Sequence, residues 1–171
     1  MKTKKVCVLP YDPQWKQNFE AIREELTQAL GDLALSIEHV GSTSVEGLAA
    51  KPVIDIDVVI RDSTPLEAVI TALAKAGYLH EGNLGIPQRE AFCYENKPHL
   101  QKHHMYVCPE SSRELHRHTA FRDYLRTHPE DAAEYGRVKL EAAALYPEDI
   151  DGYMRHKAAV IEQLYRRCGL E

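Results

Sequence analysis

The sequence is short of several features that would each fix a class. Its four cysteines, Cys7, Cys93, Cys108 and Cys168, show no C-x-x-C spacing, which argues against a zinc site and against a disulfide framework. No run approaches the roughly 18 apolar residues of a membrane span. After the basic MKTKK start, only Val6 to Leu9 precede Pro10, too few for the apolar stretch of a secretion signal. The chain therefore reads as soluble and cytosolic. A net charge of −5 without a long basic run removes the usual basis for binding nucleic acid or an anionic membrane through a charged face. Repeats, low-complexity tracts and linkers are missing too, so residues 1–171 read as one domain, long enough to bury a core without staples.

What is present centres on HVGSTSVEGLAAKPVIDIDVVI, from His39 to Ile60. Ile54, Ile56, Val58 and Ile60 occupy one face of a predicted strand, and Asp55 and Asp57 share the other, about 7 Å apart. Aspartate is depleted in strands, and like charges on one face repel. A bound cation would remove that repulsion, and the pair is close enough to hold one or two divalent ions.

Around this stretch the chain reads as helices and short strands. Asp12-Pro13 starts a helix with Trp15, Phe19, Ile22, Leu26 and Leu30 on one face, and Gly31 ends it. Leu33 to Val40 alternates as a strand. Thr64 to Glu67 has the form of a capping box, opening a helix that Gly77 closes. Tyr78 to Glu81, Arg89 to Tyr94 and Lys102 to Cys108 follow as strands, the last two joined around Asn96-Lys97-Pro98. In Lys102 to Cys108, His104 and Tyr106 face away from Met105 and Val107, repeating the pattern of the aspartate strand. Ser111 with Glu114 suggests a second capping box, for a helix to Thr127. Further helices run from Pro129 to Leu145 and from Asp151 to Cys168.

The histidines do not form a transition-metal centre in this pattern. His103 and His104 alternate across a strand, and His116 and His118 lie about 200° apart on a helix. Ser42 and Ser44 near His39 lack the G-x-S-x-G of a hydrolase elbow. Arg122 and Asp123 read as structural pairs between helices.

Taken with PYDPQW at Pro10 to Trp15, HHMYV, FRDYL at Phe121 to Leu125, and Tyr153 and Lys157, the central stretch resembles the GrpB family, a branch of the nucleotidyltransferase-like superfamily. The resemblance covers nearly the whole chain. It implies an α/β (α+β) fold with a small mixed, largely antiparallel sheet, helices packed on one face and a helical C-terminal part. It also implies metal-dependent transfer of a nucleoside monophosphate from a nucleoside triphosphate, ATP among the candidates, to an acceptor the sequence does not identify. By the same resemblance, Asp55 and Asp57 hold Mg²⁺ or Mn²⁺, and the Gly41, Ser42, Thr43, Ser44 turn seats the phosphates. Glycine there allows close backbone approach, and the metal neutralises the charge of the transfer.

The sequence departs from the superfamily at a third carboxylate, because Lys102 to Cys108 contains no acid. His104, with Tyr106 or His103, stands in that place as a catalytic candidate. Histidine is a poor Mg²⁺ ligand, so either one metal site is lost, or a softer metal such as Mn²⁺ is used, or Glu90 or Glu95 on the neighbouring strand fills in. Lys51, Arg89, Lys139 and Lys157 are phosphate-binding candidates. Lys157 interrupts the apolar stripe Ile150, Tyr153, Ile161 and Leu164, and Lys139 sits among Ala132, Tyr135, Ala142 and Ala143. Each lysine either snorkels to solvent or reaches the triphosphate. The alternative to an enzyme is a non-catalytic binder of a nucleotide or phosphorylated metabolite on the same fold.

Overall fold

The computed structural model describes residues 5–170; the basic residues 1–4 lie outside them. The first helix, α1 (Gln14–Leu30), begins where Asp12 Oδ1 accepts a hydrogen bond from Gln14 N at 2.9 Å. Its stripe of Trp15, Phe19, Ile22, Leu26 and Leu30 is buried as its spacing predicts. The following strand is shorter than its alternation suggests. Gly31–Leu33 closes into a 3₁₀ turn, and β1 covers only Ser36–Val40. The turn reverses the chain and leaves Leu35 43% exposed.

Beyond β1 come β2 (Ile54–Ile60), α2 (Leu66–Lys75), β3 (Leu79–Gly82), β4 (Glu90–Cys93) and β5 (His103–Pro109). Helices α3 (Arg113–Thr127), α4 (Pro129–Leu145) and α5 (Ile150–Arg167) complete the described chain. The sheet order is β1-β2-β5-β4-β3. The central pair, β2 with β5, is parallel; the other three pairings are antiparallel. This is the mixed, largely antiparallel sheet that the resemblance implied.

One face of the sheet is the main core. Ile54, Ile56, Val58, Ile60, Met105 and Val107 pack there against α1 and α2. The helical C-terminal part lies over the opposite face. Leu115 of α3 covers Val59 and Cys108, while Val45, Leu48 and Leu125 join Tyr135 of α4 and Leu164 of α5 in a second core. Arg122 of α3 ties this layer to β1, donating to Glu38 Oε2 at 2.8 Å and to the His39 carbonyl at 3.1 Å. No helix among the described residues is long and apolar enough to cross a membrane.

Both predicted capping boxes are corrected. Helix α2 starts one residue late, with Pro65 at the cap and no side-chain capping bond, so Thr64 is out of reach. For α3 the cap is Ser112, whose Oγ accepts from Leu115 N at 3.3 Å. Ser111 instead donates its N–H and hydroxyl to Asp62 Oδ1 at 3.1 and 2.8 Å. A tertiary acceptor at the end of β2 outcompetes the local one.

Candidate active site

The turn after β1 is built on Gly41, whose φ of 72° and ψ of −177° lie in a region essentially reserved for glycine. A side chain there would also meet Asp55. A Cβ built on Gly41 falls 3.0 Å from Asp55 Cβ and 3.1 Å from its Cγ, and nearer still to Oδ2. Gly41→Ala is therefore expected to cost about 1–3 kcal/mol from the backbone alone and to displace Asp55. Urea denaturation reads the first effect, and loss of any metal-dependent nucleotide response reads the second. A variant of wild-type stability and response would show that this contact is not constraining.

Two neighbours expected at the phosphates have inward hydroxyls. Ser44 Oγ donates to the Gly41 carbonyl at 2.5 Å, and Thr43 Oγ1 pairs with His39 Nε2 at 2.9 Å. His39 is held neutral, its pKa pushed down to about 4 by burial and by Arg126 and Arg122. Arg126 clamps the turn from α3 through the Ser44 carbonyl at 2.9 and 3.0 Å. Thr43 and Ser44 thus hold the turn in shape; Thr43 also lines the lysine recess, and Ser42 lines both of the cavities described below.

The two aspartates share a face of β2 but not an environment. Asp55 is partly exposed, its Oδ1 3.3 Å from His104 Nδ1, which pairs with it in register on β5. Asp57 is 0% exposed. His118 Nδ1 lies 2.6 Å from its Oδ2, while its Oδ1 is buried without a partner among the described residues. Burial raises the Asp57 pKa against the pull of His118. Burial also opposes the charged form of His118, but the bond to Asp57 and its charge outweigh it and raise the pKa. Sequence reasoning misses His118, because a search for histidine pairs looks for His116 beside it. Its spacing from Leu115, Arg122 and Leu125 on the inward face of α3 is the signal that points to it.

The geometry removes three candidates for the place of the third acid. His103 lies on the core side, bonded to Tyr78 Oη and the Gln101 carbonyl, each at 2.7 Å. Glu90 pairs in register with Val107, also on the core side, and bonds His80 Nε2 at 2.7 Å. Glu95 is an exposed residue past the end of β4. His104 and Tyr106 remain opposite Asp55 and Asp57.

Three distant segments bring Lys51, Lys139 and Lys157 to one recess of about 150 Å³, together with Ser42, Asp55 and His104. Lys139 is only 3% exposed. Its ammonium lies 4.6 Å from the Tyr135 ring centre, and those of Lys51 and Lys157 lie 4.8 and 4.7 Å from that of Tyr153. Burial and mutual repulsion push Lys139 down to about 7 and Lys157 to about 8, with Asp55 pulling the other way. A cluster of cations held below its ordinary protonation is complementary to a polyanion. An adjoining cleft of about 330 Å³ shares Ser42, Asp55, Tyr135 and Lys157 with this recess and adds Arg89, Tyr106 and His118.

Among the described residues no three His, Cys, Asp or Glu side chains are grouped to hold a metal. The partnerless Asp57 Oδ1 beside Asp55 fits one divalent ion whose remaining ligands come from a phosphate. With no further acid, and with Asp57 Oδ2 engaged by His118, the donor set does not extend to two ions.

A small mixed sheet carrying a Gly-Ser turn beside a D-x-D strand defines a nucleotidyltransferase-like fold. The structure of the Cid1 poly(U) polymerase with MgGTP shares it, with a TM-score of 0.52 over 77% of this chain and 42% of that one. At 12% identity the likeness is one of fold alone. The family model for GrpB protein matches residues 5–167, and the chain belongs to the GrpB family. GrpB from Enterococcus faecalis is 34% identical, with a TM-score of 0.81 over 95% of this chain and 96% of its own. A UPF0157 protein of Pseudomonas aeruginosa is 38% identical over 166 residues, 96% of this chain and 68% of that protein.

Proposed function

We propose that this protein transfers a nucleoside monophosphate from a nucleoside triphosphate to an acceptor. One observation carries this reading: Ser42, Asp55, Tyr135 and Lys157 form a wall common to a lysine-lined recess and an adjoining aromatic cleft. The recess suits the β- and γ-phosphates, the shared wall the α-phosphate, and the cleft the group it is transferred to. Asp55 and Asp57 Oδ1 would hold Mg²⁺ or Mn²⁺, which supplies charge neutralisation and polarises phosphorus when bound. Ser42 donates to a phosphate oxygen at the turn. The lysines neutralise the leaving pyrophosphate, and His118 holds Asp57 in place from behind.

The test is divalent-metal-dependent pyrophosphate release across nucleoside triphosphates and a panel of acceptors. Asp55→Asn is expected to reduce it by at least about a hundredfold, since loss even of an outer-sphere partner costs 10–100-fold. Nucleotide-dependent thermal stabilisation without release in any combination would instead favour a non-catalytic binder. That second reading has one observation behind it, the histidine and tyrosine that stand on β5 where a third acid would be.

A further inference from the structure

The cleft beside Asp55 has a chemistry distinct from that of the lysine recess. Three guanidinium groups and Lys157 line it; Arg122 is taken up by Glu38 and Asp123, which leaves Arg89 just before β4 and Arg117 on α3. Each rests on a tyrosine ring that is also part of the lining: Arg89 on Tyr106 at 4.3 Å, Arg117 on Tyr165 at 4.7 Å. Stacking of this kind fixes the plane of the guanidinium and pre-organises its fork of donors. In both Arg89 and Arg117 the Nε is buried without a hydrogen-bond partner among the described residues. Arg117 has an acidic neighbour, Glu114, at 3.6 Å through Nη1, which leaves its Nε unused.

A buried donor without a partner is costly, and here two such donors belong to side chains that line one small cavity. A neutral aromatic guest, such as a nucleobase, would stack on Phe121 and the tyrosines and leave both arginines as they are. An oxyanion meets both, because carboxylate and phosphate match the guanidinium fork in shape and charge. Lys157 borders both spaces, but Lys51 and Lys139 line the recess and not the cleft, so the triphosphate has cations of its own there and the arginines are left to a second ligand.

We infer that this cleft binds the acceptor, and that the acceptor carries a carboxylate or phosphate group gripped by Arg89 and Arg117 against an aromatic wall. The inference rests on the transfer reading for the word acceptor, but its anion site is testable independently.

The experiment uses the full chain and ligand-observed NMR with benzoate, phenyl phosphate and, as a neutral control, benzyl alcohol. Both acids are expected to bind at least tenfold more tightly than the alcohol, and the tighter of the two names the acid the site prefers. Arg89→Gln and Arg117→Gln are each expected to weaken acid binding at least tenfold. Arg89→Lys and Arg117→Lys should restore only part of it, because the charge returns without the fork. Lys139→Met should leave acid binding unchanged. Tripolyphosphate is expected to show the reverse dependence, weakened by Lys139→Met and indifferent to the arginine variants, which also reports that those variants are folded. Acid binding that ignores both arginines, matches the alcohol, or is displaced by tripolyphosphate would overturn the assignment. Tripolyphosphate failing to bind wild type, with arginine-dependent acid binding intact, would sink the transfer reading and leave the anion site standing.

Discussion

Replacing His118 by alanine is expected to lower the unfolding free energy by about 3 kcal/mol at neutral pH, the usual cost of stranding one member of a buried charged pair. For a domain of this size that is a fall in Tm of about 6–12 °C. Asp57 is the reason: it is fully buried, and among the described residues His118 is its hydrogen-bond partner. The deficit has a defined pH profile. The His118 pKa is raised in the fold, so its stabilisation is complete below the unfolded value near 6.5 and is lost as pH rises through the folded value. The Asp57 pKa is raised too, so protonation at low pH removes the stranded charge in the variant. The deficit should therefore narrow at both ends of the range. Added Mg²⁺ is expected to recover part of it, since an ion at Asp55 and Asp57 replaces the missing cation. Thermal denaturation from pH 4 to 9, with and without Mg²⁺, tests this. A variant as stable as wild type would remove His118 from the site, and a deficit that Mg²⁺ does not touch would count against the metal.

Lys139→Met is expected to move stability in the other direction. With its pKa near 7 in the fold against an ordinary 10.5, Lys139 costs about 4 kcal/mol at pH 7, at 1.36 kcal/mol per unit. Methionine fills a similar volume and removes that cost, but loses the contact with the Tyr135 ring, worth about 1 kcal/mol. The net gain is about 3 kcal/mol at pH 7. The sign follows from proton counting. Between about 7 and 10.5 the unfolded chain binds more protons, so wild-type stability rises with pH across that window. The variant lacks this rise, and its advantage should vanish near pH 10.5. Its tripolyphosphate binding should be weakened at the same time. In wild type at pH 8, binding of the polyanion raises the pKa values of Lys139 and Lys157 and takes up protons, which calorimetry in buffers of different ionisation enthalpy detects. Denaturation at pH 7 showing no gain, or binding without proton uptake, would mean that the recess is not held short of protons.

Both variants concern groups whose importance depends on neighbours far away in the chain, and that marks the limit of the sequence. The alternation of Ile54, Ile56, Val58 and Ile60 against Asp55 and Asp57 already decided which side of β2 is core. The stripe of α1 and the alternation that sets His104 and Tyr106 against Met105 and Val107 on β5 followed from spacing in the same way. Periodicity determines the face a side chain takes within its own element, because that depends only on local backbone geometry. What lies opposite that face is settled by packing between elements remote in sequence. Asp55 and Asp57 look equivalent in IDIDVVI, and only the lie of α3 buries one and leaves the other open. The recess needs Lys51, Lys139 and Lys157 from three segments, and Ser111 gives up a helix cap because Asp62 happens to lie within reach. The strand pattern itself determined where the carboxylates point; the docking of α3, α4 and α5 onto the sheet alone decided which of them is buried and what surrounds them, since burial and charge neighbours are properties of the assembled layers.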